Sequence, residues 1–208
     1  MNPEEKKIVL DKIAEQVKAC QLCPLYKGTT NGVPGEGNPN AEIMFIGEGP
    51  GAKEDELGRP FVGAAGRLLE DLLKHVGLTR NDVFIANVVK HRPPGNRDPL
   101  PEELAVCWPY LQKQVEIIDP KIIVTLGRHS LGRFVPGKVI SKVHGQPFRI
   151  NGRIFFPMYH PAAALYSGNL RPTLFEDMAK VPKVLTQIKK EEIANTKKEE
   201  KKELPKLF

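Results

Sequence analysis

The segment Glu42–Gly51 reads EIMFIGEGPG, an apolar run followed at once by a glycine-rich turn. Residues Glu42–Ile46 have the length and composition of a buried strand. Further β-rich runs follow along the chain, and helical periodicity separates the first three runs. These runs are Val83–Val89 (VFIANVV), Lys121–Leu126 (KIIVTL) and Ile154–Met158 (IFFPM). The pattern predicts four strands.

Helices are predicted between these strands and before them, at Glu4–Ala19, Ala64–Val76 and Pro101–Ile117. Strands that alternate with helices indicate a parallel sheet covered on both faces. The pair Asn151-Gly152 predicts a hairpin turn, so an antiparallel pair precedes the last strand. The Gly/Pro/Asn-rich stretch Gly28–Asn40 predicts an irregular loop.

The chain has 208 residues and 40% hydrophobic content, which suits one substantial core. We expect one domain at residues 1–190 and a charged, flexible tail at residues 191–208. A net charge of +6 favours a polyanionic partner, although charge alone does not separate DNA, RNA and free phosphates. The apolar runs are too short to cross a membrane and the N-terminus has no secretory signal, so we expect a cytoplasmic protein.

Polar and glycine residues gather where the predicted strands end. The first strand runs into Gly47–Gly51, the second carries Asn87, the third ends at Gly127-Arg128 and the fourth at His160. Ligands of open parallel sheets bind at this edge. The GEGPG turn alone is equally compatible with a plain strand-to-helix connection, and it lacks the spacing of a dinucleotide or Walker motif. A buried Asn87 amide needs a hydrogen-bond partner, from the backbone or from a ligand.

The chain has three cysteines, which cannot all pair with one another. Cys20 and Cys23 form a Cys-x-x-Cys pair, and Cys107 lies in the third predicted helix. Three soft ligands favour a metal site, with His91 as the best candidate for a fourth ligand. The alternative is three buried thiols that pack as small hydrophobic groups.

Five segments and Cys107 together carry a family resemblance. The segments are Cys20–Pro24 (CQLCP), 33–69 (VPGEGNPNAEIMFIGEGPGAKEDELGRPFVGAAGRLL), 85–99 (IANVVKHRPPGNRDP), 121–127 (KIIVTLG) and 155–165 (FFPMYHPAAAL). The sequence resembles the family 4 uracil-DNA glycosylases, which contain an iron–sulfur cluster, over nearly its whole folded length. The resemblance implies a three-layer α/β/α sandwich around a central, mostly parallel four-stranded sheet. It also implies hydrolysis of the N-glycosidic bond of deoxyuridine in single- and double-stranded DNA, which starts base excision repair.

The resemblance assigns roles to named residues. His160 donates a hydrogen bond to uracil O2 and Glu48 orients or activates water, so both are catalytic. Phe61 stacks on the flipped base, and Asn87 reads its Watson–Crick edge. The implied uracil-binding set is Gly47, Glu48, Gly49, Glu54, Phe61, Asn87 and His160. Within this set, Glu54 or the Gly49–Gly51 backbone is expected to exclude the methyl group of thymine.

The sequence departs from the family at two places. Most members have cysteine where His91 stands, so a [4Fe–4S] cluster here is expected on Cys20, Cys23, Cys107 and His91. A related branch with this histidine carries an inserted basic loop whose histidine traps uracil covalently. The sequence here runs directly through RPPGNRDP without that insertion, so we do not expect covalent trapping. After His160-Pro161, the bulky residue is shifted to Leu165, the expected DNA wedge, with Tyr166 as the second choice.

Other residues are candidates for contacts with partners. We predict that Arg92, Arg97 and Arg171 contact phosphates of DNA. The alternative is that each is an ordinary surface charge. Leu204, Leu207 and Phe208 resemble a sliding-clamp-binding peptide, for which a frayed tail is the competing interpretation. We expect a monomer associated with the nucleoid. Two alternative functions stay open: a non-catalytic, metal-stabilised DNA-binding module, and a glycosylase for other deaminated bases.

Overall fold

The computed structural model describes residues 1–203, with side chains described as far as residue 196. The strands are β1 (Glu36–Gly37), β2 (Ile43–Gly47), β3 (Phe84–Asn87), β4 (Ile122–Leu126), β5 (Phe148–Ile150) and β6 (Arg153–Met158). The helices are α1 (Pro3–Lys18), α2 (Ala52–Leu57), α3 (Ala64–His75), α4 (Pro101–Ile118), α5 (Arg128–Phe134), α6 (Ile140–Val143), α7 (Pro161–Tyr166), α8 (Leu170–Met178) and α9 (Val181–Glu203). Within this span, the strands form one sheet in the order β1-β3-β2-β4-β6-β5.

The centre of the sheet is parallel. Strands β3, β2, β4 and β6 pair in parallel, whereas β1 and β5 add antiparallel edges. This confirms the predicted mostly parallel sheet and its four main strands. The prediction of an irregular loop at Gly28–Asn40 was wrong for Glu36–Gly37, which form β1. Two residues, one of them glycine, carry too little alternation to be recognised as a strand.

Two hydrophobic layers cover the sheet. Side chains alternate between its faces, so Ile43 and Phe45 of β2 pack with residues of α3, α7, α8 and α9. Met44 and Ile46 pack instead with residues of α1, α4, α5 and α6. Full burial of each such side chain contributes about 1.5–3 kcal/mol to folding. The arrangement confirms the predicted three-layer α/β/α sandwich.

The predicted hairpin turn matches the structure, and the predicted strand bounds differ by one residue except at β3, where the difference is larger. Asn151 and Gly152 have φ of 49° and 79°, which suits the tight turn that joins β5 to β6. Strand β3 ends at Asn87 rather than at the predicted Val89. The N–H group of Val88 donates to the carbonyl oxygen of Gly47 at 3.0 Å, and that of Val89 donates to the carbonyl oxygen of Glu48 at 3.0 Å. The chain after β3 is therefore bound to the turn that follows β2.

The C-terminal helix α9 continues through the boundary predicted at residue 190. Arg149 Nη2 lies 2.6 Å from Glu191 Oε2, and Lys121 pairs with Glu192. These ion pairs join the first residues of the predicted tail to the domain. The predicted clamp peptide, Leu204 to Phe208, lies outside the described residues. No helix in residues 1–203 combines the length and the apolar character needed to cross a membrane.

Candidate active site

The carboxyl ends of the parallel strands open into one pocket. Its volume is about 540 Å³, and residues from the ends of β2, β3, β4 and β6 line it. Six of the seven predicted uracil-binding residues line this pocket, namely Glu48, Gly49, Glu54, Phe61, Asn87 and His160. The seventh, Gly47, supports it. A Cβ on Gly47 would lie 2.5 Å from Asn87 Oδ1 and 2.6 Å from Phe61 Cζ, so a larger residue would displace both side chains.

Asn87 presents an unused acceptor. Its side chain is only 2% exposed, because it stands at the end of a strand inside the sheet. Its Oδ1 has no hydrogen-bond partner in the part of the chain that the structure describes. An unsatisfied buried amide costs about 1–3 kcal/mol. Such a cost is expected at a site where a ligand supplies the missing donor.

His160 is held as a neutral donor. It caps helix α7, and its Nδ1 accepts a hydrogen bond from Ala162 N at 3.1 Å. Burial lowers the pKa of His160 to about 4, and the charge of Glu54 opposes this shift. Because Nδ1 is an acceptor and the ring is neutral, the proton stands on Nε2. The ring stacks on Phe61 with a centroid distance of 5.5 Å.

Glu54 connects two segments of the pocket wall. Its Oε1 accepts from Val62 N at 2.8 Å and from Gly63 N at 2.7 Å, and its Oε2 accepts from Gly51 N at 3.1 Å. The carboxylate therefore joins the turn after β2 to the segment that carries Phe61. Glu54 was predicted as a wall of the pocket, and these bonds additionally fix the shape of that wall.

Replacing Glu54 with glutamine should destabilise the fold. A glutamine NH₂ group at Oε1 or Oε2 would face backbone N–H groups, leaving at least one of them unpaired, at a cost of about 1–3 kcal/mol. We expect that loss in the free energy of unfolding measured with denaturant. Glu56→Gln is the control, because the Glu56 side chain is exposed and its one partner among the described residues is Lys53. Equal unfolding free energies for the two variants would contradict the assigned role.

Glu48 faces a group of charged residues. His129 Nε2 lies 3.7 Å from Glu48 Oε2 and 3.1 Å from Asp98 Oδ1. Arg128 Nη2 lies 2.6 Å from Asp98 Oδ2. Burial raises the pKa of Glu48, with the charge of Asp98 acting in the same direction and those of His129 and Arg128 opposing it. Arg128 and His129 were not predicted as site residues, although they directly follow β4 at the edge where ligands bind.

The predicted DNA contacts have different surroundings. Arg97 is held by both oxygens of Glu103 at 2.9 and 2.7 Å, and Glu103 is only 1% exposed. Arg92 Nε donates to Asn96 Oδ1 at 2.7 Å, and Arg171 Nη2 lies 3.2 Å from Asp71 Oδ2. Arg97 therefore anchors its loop to α4.

Two hydrophobic residues stand at the end of α7, where the DNA wedge was predicted. Leu165 is 48% exposed and Tyr166 is 93% exposed. Tyr166 also lines the pocket, whereas Leu165 does not. Both predicted wedge residues are thus available at the surface.

The three cysteines face a common region. Cys23 and Cys107 are buried in one cluster, and Cys20 is half-buried. Burial raises the pKa of Cys107 to about 11, and the charges of Cys23 and Cys20 add to this shift. A hydrogen bond from Tyr110 to Cys20 raises the pKa of Tyr110 to about 12. Three thiols that influence one another in a buried region fit a site for a soft metal.

His91 is buried, and its ring lies near Asp55 and Gly32. Burial lowers the pKa of His91, and the opposing charge is that of Asp55. A Cβ on Gly32 would lie 3.1 Å from its Nε2. Among the described residues, one group of three or more His, Cys, Asp or Glu side chains has all its ligand atoms within 4.8 Å of one another. This group consists of Glu48, Asp98 and His129. No three of the four predicted metal ligands have their ligand atoms within that distance of one another.

A buried lysine connects the cysteine region with the pocket. Lys90 Nζ donates to Asn87 O at 3.0 Å, to Pro34 O at 3.2 Å and to Gln114 Oε1 at 2.8 Å. Burial lowers the pKa of Lys90 to about 7, whereas the charge of Cys107 opposes this shift. Three acceptors match the three donors of an ammonium group. Gln114 and Cys107 both belong to α4, so Lys90 joins this helix to the end of β3.

Comparisons with known proteins show the family to which the chain is similar. A model of the uracil DNA glycosylase superfamily matches residues 34–181. The chain is 54% identical over 183 residues to a type-4 uracil-DNA glycosylase of Sulfurisphaera tokodaii, covering 83% of each chain. It is 49% identical over 177 residues to a type-4 enzyme of Thermotoga maritima, covering 83% of this chain and 92% of the relative. A type-5 uracil-DNA glycosylase of Thermus thermophilus is 29% identical over 171 residues, or 67% of this chain and 77% of the relative.

Proposed function

The chain belongs to the uracil-DNA glycosylase superfamily and is a uracil-DNA glycosylase, and we propose that its pocket receives a flipped uracil and hydrolyses the N-glycosidic bond. The observation that carries this proposal is the unused Asn87 Oδ1 at the end of β3. It lies in the pocket beside an aromatic ring and a neutral histidine donor. The product is an abasic site, the starting point of base excision repair.

Asn87 provides the selection for uracil. The base has a donor at N3 and an acceptor at O4, so Oδ1 accepts from N3–H and the amide NH₂ donates to O4. Cytosine presents the opposite pattern and would leave both groups of Asn87 unpaired. A site that is built to form such hydrogen bonds rejects the analogue that lacks them. Phe61 offers a stacking surface that recovers part of the cost of removing the base from the duplex.

His160 and Glu48 act on the charges of the transition state. As the bond breaks, negative charge develops on uracil and positive charge on the sugar. The Nε2–H of His160 donates to uracil O2, which stabilises the leaving anion without a proton transfer. The carboxylate of Glu48 orients the attacking water, and its charge favours the cationic sugar.

Thymine is excluded by shape, because it differs from uracil only by a methyl group. The Glu54 carboxylate fixes the wall of the pocket through its three backbone hydrogen bonds. The backbone Gly49–Gly51 closes the same side. A wall held in this way has little freedom to make room for the methyl group.

DNA is held around the pocket by residues of the loop after β3 and of helices α7 and α8. Arg92, Arg97 and Arg171 are the proposed phosphate contacts, and Leu165 is the proposed wedge in the vacated base stack. We propose that the enzyme acts on uracil in both single- and double-stranded DNA. We further propose that it works as a monomer in the cytoplasm, associated with the nucleoid. Tyr166 is the alternative wedge and is more exposed.

An iron–sulfur cluster is proposed at the cysteine region. Cys20, Cys23 and Cys107 would supply thiolate ligands to a [4Fe–4S] cluster, and His91 would supply the fourth ligand. When bound, the cluster would join the end of α1 to α4 and to the segment after β3. Lys90, which donates to Asn87 O, would then hold the uracil-reading residue against a fixed support.

Variants at the ligands test the cluster. Purified wild-type protein is expected to contain iron and to absorb visible light. We expect Cys107→Ser and His91→Ala to lose iron, whereas His91→Cys should retain it because thiolate is an equally suitable ligand. His75→Ala is the control, because His75 is exposed on α3. A colourless wild-type protein with bound zinc would refute the cluster, and full iron content in His91→Ala would refute the assignment of His91.

The activity is tested with an oligonucleotide that contains one uracil. Incubation with the wild type should leave an abasic site that alkali cleaves, whereas a matched thymine strand should remain intact. A third strand with hypoxanthine measures activity on another deaminated base. DNA binding without cleavage of the uracil strand would refute the proposed function and favour a metal-stabilised DNA-binding module.

A further inference from the structure

The base-stacking residue Phe61 has an unusual backbone conformation. Its φ is 52°, in the left-handed region that side chains larger than glycine rarely adopt. Such a conformation persists only where the surrounding structure holds it. The neighbouring groups that hold Phe61 therefore determine where its ring stands in the pocket.

Arg80 binds the backbone on either side of this strained position. Its Nη2 donates to Pro60 O at 2.6 Å and its Nη1 donates to Phe61 O at 2.9 Å. The guanidinium is itself fixed by Glu36, whose Oε1 accepts from Nε at 2.9 Å and from Nη2 at 2.5 Å. The Arg80 side chain is only 16% exposed. One planar cation thus fixes two successive carbonyl groups in a defined orientation.

Helix α3 packs against the same backbone segment. A Cβ on Gly66 would lie 1.9 Å from Phe61 O and 2.1 Å from Phe61 C. Gly66 therefore allows α3 to approach the peptide group that Arg80 binds. Rotation of this peptide would move the aromatic ring of Phe61. That ring packs over Gly47 and stacks on His160.

We propose that Arg80 is a positioning residue that holds the Phe61 ring in place for stacking on uracil. The inference rests on the proposed function of the pocket. Arg80 does not line that pocket; it lies in a separate cavity of about 730 Å³, together with Glu36 and Arg59. It acts on the base through the backbone of Phe61 alone.

Arg59 provides a matched control. It also pairs with Glu36, through contacts of 2.7 and 3.0 Å, but its side chain is 59% exposed and makes no described hydrogen bond to the backbone of residues 60 and 61. Removal of either arginine deletes one partner of Glu36. Only removal of Arg80 releases the two carbonyl groups. The two variants therefore separate the loss of a Glu36 partner from the positioning of Phe61, and Arg80→Lys keeps a positive charge beside Glu70, whose Oε1 lies 3.7 Å from Arg80 Nη1.

The experiment compares Arg80→Ala, Arg80→Lys and Arg59→Ala. Because a misplacement of about 1 Å can lower activity about 10²-fold, we expect Arg80→Ala to weaken inhibition by free uracil and to lower kcat/KM by roughly tenfold or more. Arg80→Lys should recover part of the loss, and Arg59→Ala should remain near the wild type. In a Phe61→Leu background, Arg80→Ala should have little further effect. Unchanged uracil inhibition in Arg80→Ala, or an equal loss in the Phe61→Leu background, would overturn the proposal.

A structural readout separates this inference from the proposed function. In crystals of Arg80→Ala, φ of Phe61 should leave the left-handed region or the ring should shift relative to His160, whereas Arg59→Ala should retain both. This result does not depend on whether the wild type excises uracil. An unchanged Phe61 in Arg80→Ala would overturn the positioning role even in an active enzyme.

Discussion

Replacement of Asn87 by alanine is expected to lower kcat/KM for uracil in DNA by about 10²- to 10³-fold, the loss typical of one preorganised donor in an active site. The variant loses both hydrogen bonds that read the base. The loss should appear in kcat as well as in KM, because the bond from the Asn87 amide NH₂ to O4 strengthens as negative charge develops on the leaving uracil. Single-turnover excision from a uracil-containing oligonucleotide measures the effect.

The same substitution should affect stability much less. In the free protein, Asn87 Oδ1 has no described partner, so its removal eliminates an unsatisfied buried acceptor. We expect a change in the free energy of unfolding within about 1 kcal/mol. Thr125→Val is the control, because Thr125 Oγ1 is also buried without a described partner but does not line the pocket. Asn87→Ala activity close to that of Thr125→Val would show that Asn87 does not read the base.

Replacement of His160 by alanine is the second change with a large expected effect. The donor to uracil O2 is lost, and kcat should fall by about 10²- to 10³-fold. Phe61 also loses its stacking partner, so a smaller rise in KM should accompany the fall in kcat. His75→Ala, at an exposed position, should remain fully active. Wild-type kcat in His160→Ala would exclude His160 from the chemical step.

The pH dependence follows from the neutral state of His160. Its pKa is lowered from 6.5 to about 4, so it stays neutral across the physiological range and should contribute no ionisation to kcat/KM there. The unfolded chain binds a proton at higher pH than the folded chain does. Stability contributed by the neutral ring is therefore complete above pH 6.5 and is lost as the pH falls towards about 4. His160→Gln should lose less stability than the wild type over that interval.

The sequence was sufficient to predict the centre of the fold. The runs at β2, β4 and β6 are apolar and short, and the intervening helices have clear periodicity, so their order already indicated a covered parallel sheet. Asn87 and His160 could be recognised because parallel strands bring their carboxyl ends to one edge. Phe61 was identified only by the family resemblance, since nothing in its local sequence sets it apart from a core residue.

Other features depend on contacts between distant segments. Arg80 contacts residues 60 and 61 and Glu36, and no local pattern connects these positions. His129 reaches Glu48 only through the pairing of β2 with β4. Arg97 was predicted to contact phosphate, and its pairing with Glu103 depends on the fold of the loop before α4. Such pairings are set by tertiary structure, which sequence spacing does not reveal.

A crystal structure of the wild type with bound uracil tests the account of the pocket most directly. We predict that the base stacks on Phe61, that N3 and O4 face the Asn87 amide, and that O2 lies within hydrogen-bond distance of His160 Nε2. Uracil bound outside this pocket, or bound within it with Asn87 Oδ1 still unpaired, would contradict the account.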